Sequence, residues 1–250
     1  MSLLLVGFGL TESFESETPS EHLPQECHSP GSTWPSTGKI QFIDVVTRYG
    51  TDLEHVIHDI NVKIPSGAKV GICGRSGSGK SSLILSLLRL NEITKGSIII
   101  DEIDITQIPR ETIRRQLAVL PQDPLILSES IRLNLDPLQK HNDEAIASVL
   151  SRLIIFARTL LNPSPVVLLD EATSMVDTQT EATIMNLVRE QFENHTVIAV
   201  AHRLNTIVDY DLVLVMDQGT IVESGKPAEL LQNTESRFRE LWMKQVQDGT

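Results

Sequence analysis

The stretch Gly74-Arg75-Ser76-Gly77-Ser78-Gly79-Lys80-Ser81 decides the fold of this chain. It matches in full the glycine-rich pattern G-x-x-x-x-G-K-[ST], in which backbone amides surround phosphate oxygens. Lys69–Cys73 before it is a short apolar run that predicts a strand, and Lys80–Leu90 after it has the leucine spacing of a helix. Strand, loop and helix in this order are the context that a phosphate-binding loop requires, so a glycine-rich turn with a chance lysine is the weaker interpretation.

Each residue type in this loop has a use in binding a polyphosphate. Glycines let backbone N–H groups turn inward, and the N-terminus of the helix adds the positive end of its dipole. Lys80 is expected to neutralise charge on the β- and γ-phosphates, and the Ser81 hydroxyl is expected to ligate Mg²⁺. The predicted phosphate-binding residues are Gly74, Ser76, Gly77, Ser78, Gly79, Lys80, Ser81 and Ser82.

Two adjacent carboxylates follow a second buried strand. The apolar residues 166–169 place Asp170 and Glu171 at the carboxyl end of that strand, the edge at which ligands bind in parallel sheets. Asp170 is expected to hold Mg²⁺ through its water shell, and Glu171 to polarise an attacking water as general base. Alternatively, the pair only caps the helix that follows.

The remaining pattern predicts an α/β domain. Buried apolar runs alternate with helical spacing, which indicates a parallel sheet covered on both faces, and the N-terminal β-rich runs indicate an antiparallel subdomain. The helical spacing after Arg237 predicts core packing. The predicted elements are strands in 40–45, 56–64, 165–169 and 196–201, a helix over 178–192, and a hairpin over 213–223.

Residues 1–38 have the composition of a linker or remnant leader that is disordered. Four prolines among Ser, Thr and Glu cannot bury enough apolar surface to offset ordering entropy. The apolar run Ser2–Leu10 is far shorter than the roughly 20 residues that cross a bilayer. A net charge of −12 without a basic run argues against nucleic-acid binding, and two cysteines, Cys27 and Cys73, fit a reducing compartment.

Several stretches together resemble the ATP-binding cassette (ABC) family over about Trp34 to Glu229, most closely the second nucleotide-binding domain of its multidrug-resistance-associated (C) branch. Taken singly, most of the residues involved have ordinary structural explanations, but their order along the chain favours the family. The stretches are WPSTGKIQFIDVVTRY (34–49), GRSGSGKSS (74–82), LPQDPLILSESIRLNLDP (120–137), VVLLDEATSMVD (166–177) and TVIAVAHRL (196–204).

The resemblance implies a fold and a set of roles. The fold is an α/β P-loop NTPase with a RecA-like parallel core, an N-terminal antiparallel β-subdomain and a helical subdomain, and the ligands are ATP and Mg²⁺. Tyr49 would stack on adenine, Gln122 would link the γ-phosphate and Mg²⁺ to the membrane domain, and His202 would sense the γ-phosphate. Residues 174–177 match the loop that faces a partner cassette.

The chain departs from the family in one respect. No signature of the type Leu-Ser-Gly-Gly-Gln is present, and Gln122 and Asp170 lie only 48 positions apart. A segment is missing near Leu150, so the domain at 39–250 has a truncated helical subdomain. Family cassettes close head to tail, with ATP on one loop meeting the signature of the other. Two copies of this chain would form no complete site, and the isolated chain is expected to bind Mg-ATP but to hydrolyse it poorly.

The leading functional prediction is an ABC-type ATPase domain that energises transport. Its partners would be transmembrane domains outside this chain and a second nucleotide-binding domain that supplies the signature, at the cytoplasmic face of a membrane. Alternatives are a regulatory nucleotide-sensing module similar to the sulfonylurea receptors, a binding-only truncated isoform, a soluble ABC ATPase acting on DNA or ribosomes, and an ordinary P-loop kinase. The acidic charge opposes nucleic-acid partners.

Overall fold

The computed structural model describes residues 26–31, 33–120, 130–136, 164–170 and 178–248. The elements within these ranges form an α/β domain with two sheets. In chain order they are β1 (Ile40–Arg48), β2 (His55–Ile64), β3 (Lys69–Gly74), α1 (Lys80–Leu87), β4 (Glu92–Ile100), β5 (Ile103–Asp104), a 3-10 turn (Ile105–Gln107), α2 (Arg110–Gln116), β6 (Ala118–Leu120), α3 (Ile131–Leu135), β7 (Val166–Asp170), α4 (Thr178–Gln191), β8 (Thr196–Val200), a second 3-10 turn (Leu204–Thr206), β9 (Leu212–Asp217), β10 (Thr220–Gly225), α5 (Pro227–Gln232) and α6 (Arg237–Asp248).

The larger sheet is parallel and is covered on both faces. Its strand order is β10-β9-β3-β8-β7-β6, in which only β10 runs antiparallel to its neighbour. Side chains of successive residues on a strand point to opposite faces of the sheet, so they join different hydrophobic cores. On β8, Ile198 packs with α1 and the smaller sheet, whereas Val197 packs with α4 and α6. The predicted parallel sheet with two covered faces is confirmed.

The smaller sheet is antiparallel, with the strand order β2-β1-β4-β5. Ile40, Phe42 and Val45 of β1 are at most 2% exposed and join the core beneath α1. The N-terminal antiparallel subdomain that the sequence indicates is therefore present, and the α/β fold class is confirmed. The predicted helical subdomain lies largely in 137–163, outside the described residues.

Part of the segment assigned to a linker packs on the domain. Trp34 is 6% exposed and its indole N–H donates to the Ile100 carbonyl, while the buried Glu26 carboxylate pairs with Arg89 at 2.9 Å. The backbone N–H of His28 also bonds the Gln107 carbonyl at 3.0 Å. Residues of 26–31 and 33–38 thus contact the folded domain through one aromatic side chain and one buried ion pair, although the composition predicts a linker.

Residues 92–120 form β4, β5, α2 and β6, although the sequence pattern predicts no element there. The C-terminal α6 buries Phe238 completely and packs Leu241 and Trp242 against the core, as predicted. Among the described helices, none is both long and apolar enough to cross a membrane.

Candidate phosphate-binding site

The glycine-rich loop lies between the end of β3 and the start of α1. Gly79 is the N-cap of α1 with φ of 98°, in the left-handed region that residues with a Cβ rarely adopt, so glycine permits the turn into the helix. The Ser78 amide donates to the Arg75 carbonyl at 3.1 Å, which closes the loop on itself. Local sequence therefore sets the turn. The parallel pairing of β3 with β8 and β9 holds the loop at the carboxyl end of the strands.

The Lys80 ammonium is held under the loop. Lys80 is 8% exposed, and its Nζ donates to the carbonyls of Gly74 and Arg75 at 3.2 Å each. A cation in this position faces the centre of the loop, where the positive end of α1 also points. The loop therefore concentrates positive potential at one small site.

Ser81 and Asp170 meet across the sheet edge. The Ser81 hydroxyl donates to Asp170 Oδ1 at 2.9 Å, although the two residues come from α1 and the end of β7. β7 lies two strands from β3 in the sheet, with β8 between them. A hydroxyl and a carboxylate that converge in this way provide oxygen ligands of the kind that Mg²⁺ prefers.

The loop opens into a cleft of about 490 Å³ whose far wall is β2. Tyr49, the residue after β1, is 49% exposed, and its hydroxyl lies 2.8 Å from Ser82 Oγ. Tyr49 thus stands beside the cleft and is joined to it through Ser82. The cleft is lined by His55, Val56, His58, Ser76, Gly77, Gly79, Lys80, Ser81, Ser82, Gln218 and Gly219.

His202 follows β8 at the same edge of the sheet. It is exposed, and a cavity of about 370 Å³ separates it from the loop, lined by both His202 and Lys80. The side-chain amide of Gln245 on α6 donates to the His202 carbonyl and accepts from the Leu204 amide, the latter at 2.9 Å. The turn that carries His202 is therefore pinned by the C-terminal helix.

The structure brings part of the predicted site together. The loop, Lys80, Ser81, Asp170 and His202 share one edge of the parallel sheet. Gln122, Glu171 and the stretch 174–177 lie outside the described residues. Sequence reasoning missed His55, Val56, His58, Gln218, Gly219 and Gln245, and among these only the predicted hairpin turn at 217–219 carried a sequence signal.

Two features of the loop bear on whether it suits a polyphosphate with Mg²⁺. Ser78 Oγ is buried and has no hydrogen-bond partner within the described part of the chain. The donor set combines backbone amides at a helix start, one ammonium, and the converging oxygens of Ser81 and Asp170. Cys73 just before the loop contributes no thiolate, because burial raises the pKa of its thiol to about 12. The residues present fit a phosphate with a hard divalent cation.

Known proteins resemble the chain over most of its length. Residues 57–156 match the family model described as ABC transporter. The chain is 41% identical over 258 residues to ABC multidrug transporter B of Aspergillus fumigatus, across 92% of this chain and 18% of that protein. It is 40% identical over 243 residues to ABC transporter C family member 5 of Arabidopsis thaliana, across 85% of this chain and 16% of that protein.

Solved structures of similar fold include a bacterial Atm1-family ABC exporter with ATP bound. The superposition has a TM-score of 0.80 at 27% identity, and it covers 94% of this chain and 46% of that one. The chain spans less than a fifth of the length of these curated relatives.

Proposed function

Because this chain belongs to the ABC transporter family, we propose that it is a nucleotide-binding domain that holds Mg-ATP on the loop 74–81. The observation that carries the proposal is the convergence of three groups at one sheet edge. The Lys80 ammonium lies under the loop, and the Ser81 hydroxyl meets the Asp170 carboxylate at 2.9 Å.

The phosphates are gripped mainly by the main chain. Backbone amides at the start of α1 are proposed to bind the phosphate oxygens, because the helix dipole favours negative charge there. Lys80 would exchange its hydrogen bonds to the Gly74 and Arg75 carbonyls for hydrogen bonds to phosphate oxygens. The hydrogen bond between Ser82 and the Tyr49 hydroxyl would hold Tyr49 beside the adenine base. Tyr49 then offers its ring to adenine from the end of β1.

Ser81 and Asp170 are the residues that would hold a magnesium ion, Ser81 directly and Asp170 through water. A bound Mg²⁺ would supply positive charge beside the β- and γ-phosphates. Gln122, carried over from the family resemblance, is proposed as a further residue that would hold the magnesium ion and link the site to a membrane domain. Because oxygen ligands are already paired at 2.9 Å, little reorganisation is needed to accept the ion.

Hydrolysis is assigned to Glu171 and His202. Glu171 follows Asp170 directly and is proposed as the general base that takes a proton from the attacking water. His202 is proposed to sense the γ-phosphate from the turn after β8. The pinning of that turn by Gln245 supports a defined position for the imidazole.

The site is proposed to work with partners. In this account a transmembrane domain couples nucleotide binding to transport at the cytoplasmic face of a membrane, and a second nucleotide-binding domain supplies the signature that this chain lacks. Signature donors stabilise charge on the transferring phosphoryl group, an effect of several kcal/mol. The absence of the signature favours a second candidate, a chain that binds Mg-ATP without turning it over alone.

Calorimetry on the purified chain tests the binding function. Wild-type protein should bind ATP in a magnesium-dependent manner, and Lys80→Ala should weaken binding at least about tenfold, because a charge-assisted hydrogen bond contributes about 1.5–3 kcal/mol. Lys39→Ala is the matched control, since that amine pairs with Glu102 on the surface. Absence of magnesium-dependent heat in folded wild-type protein refutes the proposal.

Phosphate release, measured on the same samples, separates the two candidates. We expect very slow turnover from the chain alone and faster turnover once a cassette with an intact signature is added. Turnover by the chain alone at the rate of a complete cassette, abolished by Lys80→Ala, would contradict the need for a partner.

A further inference from the structure

The turn between β9 and β10 contacts the phosphate loop directly. Gly219 donates its amide to the Ser78 carbonyl at 3.0 Å and accepts from the His58 amide at 2.9 Å. One residue therefore joins the loop to β2 of the antiparallel sheet. The pairing of Gly74 with Met216 brings β9 alongside the loop and sets this approach.

The approach at Gly219 leaves no room for a side chain. Gly219 has φ of 77°, and a Cβ placed there would lie 2.4 Å from the Val56 carbonyl oxygen and 2.8 Å from His58 Cδ2. Gln218 before it also has positive φ, at 44°, so the two residues form a tight hairpin turn with little freedom to move aside. A side chain at 219 must therefore push the turn away from β2.

The bond to Ser78 orients the amide of the next residue. A trans peptide unit is planar, so the carbonyl of Ser78 and the N–H of Gly79 point in opposite directions. When Gly219 holds the Ser78 carbonyl on the hairpin side, it turns the Gly79 amide toward the opposite side. Gly79 lines the cleft, and its amide is among those proposed to bind phosphate.

We propose that Gly219 is a positioning residue of the nucleotide site, which aims the Gly79 amide by anchoring the Ser78 carbonyl. The turn also connects β2 to the loop, because the Gly219 carbonyl accepts a hydrogen bond from the His58 amide. This inference rests on the proposed binding of Mg-ATP and deepens it. It assigns a role in phosphate recognition to a residue more than a hundred positions from the loop.

Substitution of Gly219 tests the inference against a matched glycine. Gly67 has nearly the same φ, 75°, but a Cβ there would meet nothing closer than the Asn194 carbonyl at 3.8 Å. Gly219→Ala and Gly67→Ala thus impose the same left-handed strain, and only the first creates a clash. We expect the dissociation constant for Mg-ATP to rise about tenfold in Gly219→Ala, equivalent to about 1.4 kcal/mol, and to stay unchanged in Gly67→Ala.

A spectroscopic measurement separates positioning from general destabilisation. The chain has 14 glycines, so ¹⁵N-glycine labelling gives a spectrum in which the Gly79 amide can be resolved. Mg-ATP should shift this signal in wild type and in Gly67→Ala, and much less in Gly219→Ala. Gly219→Asn serves where Gly219→Ala folds poorly, because Asn tolerates positive φ while its Cβ keeps the clash.

The outcomes discriminate between the two proposals. If wild type does not bind Mg-ATP, the proposed function fails. If wild type binds, Lys80→Ala binds at least about tenfold more weakly, and Gly219→Ala binds as well as wild type, only the positioning role fails. Equal losses in Gly219→Ala and Gly67→Ala also overturn the positioning role, since strain alone would then explain them.

Discussion

Removal of the Glu26 carboxylate is expected to destabilise the folded chain by about 3 kcal/mol. The Glu26 side chain is 1% exposed and lies 2.9 Å from Arg89, whose side chain is 7% exposed. Arg110 approaches the same carboxylate oxygen at 3.2 Å. Glu26→Ala therefore leaves a buried guanidinium without its counter-charge.

The magnitude follows from what remains around Arg89. Removing one partner of a buried ion pair costs about 3–5 kcal/mol. Arg89 keeps a hydrogen bond to the Ile108 carbonyl at 3.0 Å and longer ones to Ile105 and Thr106, so the lower end of that range applies. Burial lowers the pKa of Arg89 and Glu26 opposes this shift, which agrees with a carboxylate that stabilises the charged form.

Urea unfolding followed by circular dichroism measures the loss in the free energy of unfolding. Glu102→Ala is the matched control, because the Lys39–Glu102 ion pair has a similar separation, 2.8 Å, but is largely exposed, and it should show no measurable change. Salt at roughly 1 M should leave the loss in Glu26→Ala largely intact, since buried charges are poorly screened. If Glu26→Ala is no less stable than Glu102→Ala, the segment before β1 is not part of the folded domain.

Three other predictions concern single groups. Burial raises the pKa of Asp101, but hydrogen bonds donated by residues 36–38 outweigh it and the net pKa is lowered, so this carboxylate stabilises the fold above about pH 4 and the contribution is lost as pH falls further. Asp101→Asn should flatten the fall in urea midpoint between pH 5 and pH 3, and an unchanged slope contradicts the assignment. Burial raises the pKa of the Cys73 thiol to about 12 and keeps reagents away from it, so a thiol reagent should modify the exposed Cys27 alone until urea is added. Gln245→Ala should speed amide exchange at Leu204 about fivefold, the equivalent of one hydrogen bond of about 1 kcal/mol, and unchanged exchange measured by mass spectrometry refutes the pinning of the 202–204 turn.

The centre of the site could be predicted from sequence because its parts are local. Strand, loop and helix follow one another between residues 69 and 87, and each leaves its own pattern of apolar and glycine residues. Asp170 was also predictable, because the carboxyl ends of parallel strands meet at one edge. The hydrogen bond between Ser81 and Asp170 joins two sequence motifs that lie 89 positions apart.

What sequence reasoning missed depends on contacts between distant residues. β4 begins with exposed polar residues around Lys95 and bends at Gly96, so it lacks the alternation of a half-buried strand. Glu26 packs against the folded domain because its carboxylate pairs with Arg89, 63 positions later, and composition does not reveal this contact. The role of Gly219 depends on the backbone of Ser78 and His58, so no side-chain pattern reveals it.

The neighbours of β3 have a consequence for how the chain matures during synthesis. In the larger sheet β3 lies between β8 and β9, both of which come after residue 195. While the ribosome makes the residues before 196, the loop emerges with neither flanking strand available. Nascent chains stalled before residue 196 should therefore fail to be retained on immobilised ATP, whereas chains released after residue 248 are retained. The nucleotide site is completed late in translation, well after its own motif at 74–81 has been made.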